Sequence, residues 1–235
     1  MIYITGDTHI PIDIHKLKNK FFNPPGATKD NTYLIICGDF GAVWNYKGED
    51  KDEKYWLDWL ENKPYTVLFV DGNHECHPRL NVFPVEEWNG GKIHRIRPSV
   101  IHLMRGQVYT INGKKIFTMG GASSHDKEIR TDRETWWEEE LPSNEEYEEA
   151  FKNLEKNNYE VDYVITHCMP DNIQYRLASW YEHDKLTNFL FTVDKDLKFK
   201  HWYSGHYHID KDVDDLHTVL YDEILPLGEC VGEEE

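Results

Sequence analysis

The sequence is poor in cysteine, in basic residues and in long apolar runs, and each shortage argues against one class of protein. The four cysteines have no Cys-x-x-Cys spacing, so neither a disulfide framework nor a thiolate zinc site is expected. Only 26 Lys and Arg face 43 Asp and Glu, and the net charge of −17 disfavours binding to long nucleic acid. No apolar run approaches the ~18 residues of a membrane helix, and no signal-peptide pattern is present. We therefore expect a cytoplasmic protein with no membrane partner.

The chain also lacks internal repeats and any linker rich in Pro, Gly and Ser. Its 235 residues and 39% hydrophobic content are sufficient for a sizeable core. We therefore predict one domain over residues 1–228. A short acidic C-terminal tail is predicted over 229–235, ending in Glu233, Glu234 and Glu235.

The sequence does contain a repeated pattern, in which a short apolar run ends in a cluster of polar residues. These runs are residues 2–4, 33–37, 66–70 and 163–166. A buried strand followed by a loop produces this pattern. Helical patterns lie between some of the runs, over 55–60 and over 143–156, where Ser143 and Glu146 form a capping box. The alternation predicts an α/β protein.

The pattern changes in the middle of the chain. From Arg95 to Met119, strand-like runs are joined by tight turns, and Asn112-Gly113 gives a strong hairpin signal. We interpret this region as a second, partly antiparallel sheet. Residues 120–145 are Gly-rich and then acidic, without clear periodicity. A loop of this length in a compact domain is usually functional.

Polar motifs follow the apolar runs and carry the chemistry of the sequence. They are Asp7-Thr8-His9, Gly38-Asp39, Gly72-Asn73-His74-Glu75, the isolated His167, and Gly205-His206-Tyr207-His208. Taken singly, such residues are also typical of turns and strand ends. Taken together, they supply carboxylates, imidazoles and an amide oxygen, which suit Mn, Fe or Zn. At the strand ends of an α/β fold they would converge on one rim, so a site for two metal ions is predicted.

The order of these motifs (DxH, GD, GNH[DE], a lone His and GHxH) resembles that of the calcineurin-like metallophosphoesterase superfamily. The resemblance spans nearly the whole chain. It implies an α/β sandwich of two mixed β-sheets flanked by α-helices. It also implies a metal-dependent phosphoric ester hydrolase that uses two divalent metal ions. Mn is the ion we expect, with Fe, Zn or Ni as alternatives.

The same resemblance implies a role for each motif residue. One ion would be held by Asp7, His9 and His208, and the second by Asn73, His167 and His206. Asp39 would bridge the two ions, and a hydroxide shared by them would attack phosphorus. His74 would stay free of metal and protonate the leaving group, a task that suits an imidazole with a pKa near ~6.5. His9 fits the motif less closely, because Ile10 follows it where many relatives have Gly.

The substrate is less closely defined. We favour a phosphomonoester on a phosphorylated small molecule, a nucleotide or a phosphoprotein, because the chain is short, acidic and without an obvious nucleic-acid module. A phosphodiesterase acting on nucleotides or short nucleic acid is the alternative among enzymes. A non-catalytic scaffold is the alternative outside them, although such members have usually lost ligands that this sequence retains. The oligomeric state is left open.

The sequence departs at one motif from the protein phosphatases of this superfamily, which extend GD to GDxxDRG. The residues at the Asp and Arg positions of that motif are here Ala42 and Val43. The partner of His74 is therefore not identified. Arg79, Arg130 and Arg133 are the candidates for a phosphate clamp, since a guanidinium group matches phosphate oxygens.

The region 120–145 contains further residues whose role can be interpreted in two ways. Trp136 and Trp137 either stack on a base or sugar of the substrate or, as is more usual in an acidic loop, anchor the loop itself. His125 is treated as a polar loop residue and is left out of the catalytic set. The acidic run Glu138-Glu139-Glu140 is read as a solvated face.

Overall fold

The fold is that of a computed structural model, which describes residues 1–232 and contains two β-sheets packed face to face. The predicted tail residues Glu233, Glu234 and Glu235 lie outside the described residues. The division into a domain over 1–228 and a tail stays a prediction. Among residues 1–232, no helix has both the length and the apolar character needed to cross a membrane.

The strands and helices alternate along much of the chain. The strands are β1 (Ile2–Thr5), β2 (Tyr33–Cys37), β3 (Thr66–Val70), β4 (Val85–Trp88), β5 (Gly91–Arg97), β6 (Val100–Leu103), β7 (Gln107–Ile111), β8 (Lys114–Met119), β9 (Tyr163–Thr166), β10 (His201–Ser204), β11 (Lys211–Asp214), β12 (His217–Val219) and β13 (Ile224–Pro226). The α-helices are α1 (Lys51–Glu61), α2 (His77–Leu80), α3 (Asn144–Lys156), α4 (Asp171–Leu177) and α5 (Lys185–Asp196). Short 3₁₀ turns cover Ile14–Leu17, Lys127–Ile129 and Glu138–Glu140.

Both sheets are mixed. The seven-stranded sheet has the order β13-β1-β2-β3-β6-β5-β4, in which β1, β2, β3 and β6 are parallel and the outer strands are antiparallel. The six-stranded sheet has the order β11-β12-β10-β9-β8-β7, and β12, β10, β9 and β8 are parallel. With helices packed on the outer faces, this confirms the predicted α/β sandwich of two mixed sheets.

The central strands are apolar on both faces because each face is covered. Alternate residues of a strand point to opposite sides of the sheet. In β2, Leu34 and Ile36 pack in the outer cluster that contains Leu57 of α1. Ile35 and Cys37 point the other way, into the core between the two sheets. The continuous apolar runs of the sequence therefore mark strands buried on two sides.

The hairpin signal is confirmed, whereas the assignment of 95–119 to one sheet is wrong. β7 and β8 pair antiparallel around Asn112 and Gly113, both of which have positive φ as a tight hairpin turn requires. The strands β5 and β6, however, belong to the first sheet, where Val100 of β6 lies beside Val67 of β3. Local pattern identifies strands, but it carries no information about which distant strand each one joins.

The predicted helix over 143–156 is confirmed as α3. Ser143 and Glu146 form the capping box, in which each side chain bonds the backbone N–H of the other residue. Tyr147, Ala150 and Leu154 are buried against the second sheet, which is the face that the apolar spacing predicts. The helix thereby fixes the end of the preceding segment, residues 120–143, which we call the 120–143 loop.

Candidate metal centre

The predicted metal ligands, and His74 as the predicted catalytic residue, follow strands that run parallel within each sheet. The residues are Asp7 and His9 after β1, Asp39 after β2, Asn73 and His74 after β3, His167 after β9, and His206 and His208 after β10. In each sheet the strands concerned are parallel neighbours, so their carboxyl ends meet at one rim. This is the edge at which α/β folds place their ligands.

The structure brings these side chains into two adjoining groups of donor atoms, and within each group all donor atoms lie within 4.8 Å of one another. The first group is Asp7, His9, Asp39 and His208, and the second is Asp39, His167 and His206. Asn73 adjoins the second group, with its Oδ1 atom 3.2 Å from Nε2 of His167. The donors are oxygen and nitrogen atoms only, which fits divalent cations of hard or borderline character.

Asp39 is shared by the two groups, and its two carboxylate oxygens face different partners. Oδ2 lies 3.1 Å from Nε2 of His9, in the first group. Oδ1 lies 3.3 Å from Nε2 of His167, in the second group, and accepts the backbone N–H of His74 at 2.7 Å. A carboxylate placed in this way can contact two cations at once, as two-metal sites require.

Several site residues hold their side chains by an unusual backbone conformation. Left-handed φ angles occur at His9 (33°), Asp39 (45°), His206 (71°) and His208 (51°). For residues other than glycine, such a conformation costs about 1–3 kcal/mol and persists only where the surroundings impose it. Here the backbone N–H of His9 donates to the carbonyl of Asp39 at 2.8 Å, and that of His206 donates to Oδ1 of Asp7 at 2.9 Å.

The motif glycines allow the loops to approach one another closely. A Cβ atom at Gly38 would overlap the imidazole of His167, and one at Gly72 would overlap Oδ1 of Asp39. Glu75 then joins the same two loops, since its buried carboxylate accepts the N–H of Phe40 at 2.6 Å and that of Gly72 at 3.0 Å. The glycines of the motifs are therefore required by packing against the donor side chains.

Hydrogen bonds on the outer nitrogens aim two imidazoles at Asp39. Nδ1 of His167 lies 2.8 Å from the carbonyl oxygen of Cys37 and donates to it, which leaves Nε2 facing Asp39. Nδ1 of His9 lies 2.8 Å from Oδ2 of Asp13, with the same result. Partners of this kind fix the orientation of metal-binding histidines. Asp13 was not identified from the sequence, because an Asp four residues after a His has no distinctive pattern.

We expect Asp13→Ala to weaken Mn binding by about tenfold to a hundredfold, because His9 loses the partner that orients its ring. Titration calorimetry of chelator-stripped protein measures this affinity. Asp196→Ala, which removes an exposed carboxylate at the end of α5, is the matched control and should bind Mn as the parent does. Equal affinity in the Asp13 variant and the parent would show that this bond does not orient the ring.

The ionisable groups of the site change one another's pKa values. Burial raises the pKa of Asp39, but the neighbouring imidazoles, His167 foremost, together outweigh burial and hold the pKa well below its usual value. Burial lowers the pKa of His9 and His167, but Asp39 raises these values to about 9 and about 10. Burial lowers the pKa of His206 to about 3. Without metal, the site therefore keeps two imidazolium groups at neutral pH.

Metal binding is expected to release protons and to strengthen as the pH rises. A cation must displace the protons of His9 and His167, whose pKa values of about 9 and about 10 lie above neutral pH. Apparent Mn affinity should therefore increase up to about tenfold per pH unit for each displaced proton, between about pH 6 and the lower of the two values. Calorimetry in buffers of different ionisation enthalpy counts the released protons. An affinity independent of pH would contradict the assignment of these imidazoles as ligands.

Asn73 is oriented by the 120–143 loop. Its Nδ2 atom donates to Oγ of Ser124 at 3.2 Å, and that hydroxyl donates to Oε2 of Glu140 at 2.6 Å. The amide oxygen is thereby left to face His167. Glu140 is buried, so the interpretation of this acidic run as a wholly solvated face is wrong. No spacing signal marks Ser124 or Glu140, because their roles depend on a contact with a distant strand end.

A buried arginine attaches the same loop to the end of β3. The side chain of Arg105 donates from Nε and Nη2 to Oδ2 of Asp71 at 2.8 and 2.6 Å, and Nη2 also donates to the carbonyl of Glu139 at 2.9 Å. The carbonyl of Asp71 accepts the N–H of Gly121 at 2.8 Å. Asp71 directly precedes the Gly72-Asn73-His74 motif. The loop and the motif are therefore joined through one buried ion pair.

His74 lies at the mouth of the site and belongs to neither donor group. Its ring stacks on the indole of Trp44 at 5.8 Å and meets the ring of His9 edge-on at 5.1 Å. Within residues 1–232, the hydrogen-bond partner of the ring is a guanidinium group rather than a carboxylate, since Nη2 of Arg130 lies 2.8 Å from Nε2. Trp44 was missed because a lone tryptophan carries no motif.

The remaining aromatic residues of the 120–143 loop, Trp136, Trp137 and His125, have different surroundings. Trp137 is buried and packs edge-on against Trp44 at 5.6 Å, so it anchors the loop. Lys127 lies over the ring of Trp136 at 4.0 Å. His125, which was interpreted as a polar loop residue and left out of the catalytic set, stacks on His206 at 5.7 Å.

Two mixed sheets place two adjoining groups of donor atoms at their strand ends, an arrangement that could hold divalent metal. The family model described as calcineurin-like phosphoesterase matches residues 1–210. The chain therefore belongs to the calcineurin-like phosphoesterase family, a class of metal-dependent phosphoester hydrolases, and the resemblance read from its motifs is confirmed. No curated protein matches the chain.

Proposed function

We propose that this protein hydrolyses phosphomonoesters with two divalent metal ions, of which Mn is the expected one. The observation that carries the proposal is the shared Asp39, whose two oxygens serve two adjoining donor groups. The proposed ligands of one ion are Asp7, His9, Asp39 and His208, and those of the other are Asp39, Asn73, His167 and His206. When bound, such ions supply a nucleophile from water near neutral pH and positive charge for phosphoryl oxygens.

The residues of the chain account for the rest of the reaction. Asp39 and Asp7 are held ionised, since in each case neighbouring imidazoles outweigh the effect of burial on the pKa. Water supplies the oxygen that bonds to phosphorus, and the bond from phosphorus to the leaving oxygen breaks. Nε2 of His74 gives its proton to that leaving oxygen and regains one from solvent. Burial and the positive charges of Arg130, His9 and His167 lower the pKa of His74 although the charge of Asp39 opposes them. An arriving phosphate adds negative charge that favours the protonated ring.

The surroundings of the site favour a compact substrate. A phosphorylated small molecule, a nucleotide or a phosphoprotein side chain can reach a rim of this kind. Long nucleic acid is disfavoured by a net charge of −17. Retention of the donor set and of His74 argues against a scaffold without activity.

A nucleotide phosphodiester is the second candidate, and one observation favours it. An aromatic row leads outward from His206 through His125, Tyr181 and Trp180, with ring separations of 5.7, 5.9 and 6.1 Å. Trp180 is 78% exposed at the end of this row. An exposed indole offers a surface on which a nucleobase can stack.

The test compares p-nitrophenyl phosphate with bis-p-nitrophenyl phosphate as substrates of chelator-stripped protein, with Mn, Fe, Ni, Zn or Mg added back. We expect turnover that depends on added metal, is highest with Mn, and has the larger kcat/KM for the monoester. A larger kcat/KM for the diester would select the second candidate. Metal binding without turnover of either ester would support the scaffold.

A further inference from the structure

Arg130 lies at the mouth of the site, where its guanidinium contacts the ring of His74. Its side chain is only 7% exposed although it belongs to a surface loop. Nη2 lies 2.8 Å from Nε2 of His74, and Nη1 donates to the backbone carbonyl of Asn73 at 3.4 Å. Both terminal nitrogens of the guanidinium therefore face the motif that follows β3.

The Nε atom of Arg130 forms an ion pair with a carboxylate of the same loop. Nε of Arg130 lies 2.7 Å from Oδ1 of Asp126, one turn earlier in the loop. This ion pair fixes the direction of the guanidinium while leaving its terminal N–H groups available. Two such N–H groups match two oxygens of a phosphoryl group.

The contact with His74 has a chemical consequence. Nη2 of Arg130 lies 2.8 Å from Nε2 and 3.4 Å from Nδ1 of His74, so the guanidinium lies against the ring and is not directed at one ring nitrogen alone. An anion bound beside His74 can draw a cation in this position onto its own oxygens.

The other arginines considered for this role are placed elsewhere. Nη1 of Arg79 lies 2.8 and 2.7 Å from the two carboxylate oxygens of Glu53 and donates to the carbonyl of Asn45 at 2.7 Å. This guanidinium is therefore engaged in a structural ion pair with Glu53. Arg133 is exposed, and its backbone N–H donates to the carbonyl of Trp136 at 2.8 Å.

We infer that Arg130 binds the phosphoryl group of the substrate, its guanidinium moving from the ring of His74 onto phosphoryl oxygens. The inference rests on the proposed function and deepens it by naming the feature that selects monoesters. A phosphomonoester dianion offers more charge and more free oxygens to a guanidinium than a diester monoanion does. Arg130 therefore contributes more to monoester binding than to diester binding.

The test uses Arg130→Gln and Arg130→Lys in the full chain loaded with Mn, with Arg133→Gln as the matched control from the same loop. We expect Arg130→Gln to raise KM for p-nitrophenyl phosphate, and Ki for inorganic phosphate, by about tenfold to a hundredfold. The diester KM should change by less than about threefold, since fewer charged contacts are lost. Arg130→Lys should recover part of the loss because it keeps the charge but not the fork.

Binding of inorganic phosphate, followed by calorimetry, separates this inference from the proposed function. It tests Arg130 even if neither ester is turned over, whereas absence of turnover in the parent would count against the proposed function alone. An unchanged phosphate affinity in Arg130→Gln would overturn the inference. So would equal losses on both esters carried by kcat alone, which would reduce Arg130 to a positioning residue for His74. Thermal melting confirms that each variant is folded.

Discussion

Asp39→Asn is expected to reduce metal-dependent hydrolysis of p-nitrophenyl phosphate by roughly a thousandfold or more. A metal centre supplies several kcal/mol of charge stabilisation, and each ~1.4 kcal/mol corresponds to a factor of ten in rate. Asn keeps the size of the side chain and an oxygen acceptor but removes the negative charge that both donor groups share. The variant should also lose cooperative occupancy of the two metal positions.

The measurement is kcat/KM at saturating Mn, together with metal content after gel filtration. Asp196→Asn, which alters an exposed carboxylate on α5, is the matched control and should retain the parent activity. Because Asp39 is buried, thermal melting must show that the variant is folded. Retention of more than about a tenth of the parent rate in folded Asp39→Asn would be incompatible with a shared ligand.

His74→Ala should leave metal binding intact and lower kcat by about a hundredfold to ten-thousandfold on esters with poor leaving groups. The ring lies outside both donor groups, so its removal takes no ligand from either. Protonation of the leaving oxygen matters most when that oxygen is strongly basic. The loss should therefore be much larger for phenyl phosphate than for p-nitrophenyl phosphate.

The informative quantity is the ratio of kcat values for these two esters in the parent and in the variant. His15→Ala, at an exposed imidazole that is not one of the motif residues, serves as the control. A parallel loss on both esters would mean that His74 stabilises charge or positions substrate but does not donate the proton. Loss of bound Mn in the variant would instead mark His74 as a ligand.

Much of the fold and most of the candidate site could be predicted from the sequence because both depend on short, local patterns. Strands buried on two faces leave continuous apolar runs, and β2 and β3 were found in this way. The donor residues stand directly after such runs, as Asp39 does after Cys37. A polar motif at the end of a buried strand can be located without any knowledge of tertiary structure.

The contacts that could not be predicted join residues across the fold. Ser124 reaches Asn73 over 51 positions of sequence, and Arg130, one of three candidate arginines, reaches His74 over 56. Periodicity and motif order carry no signal for contacts over such separations. The prediction that β5 and β6 belong to the second sheet was wrong for the same reason, since strand pairing is decided by distant partners.

The attachments of the 120–143 loop have a consequence for how this chain could diversify. Gly121 is bonded to Asp71 at one end of the loop, and Glu140 is bonded to Ser124 and buried at the other. The stretch from 125 to 135, which holds Arg130, lies between these two attachments and is mostly exposed. Replacing this segment by recombination or design changes the contacts that His125 and Arg130 make with His206 and His74, but it removes no donor residue. New substrate preferences can thus be selected on this scaffold while its donor residues are inherited unchanged.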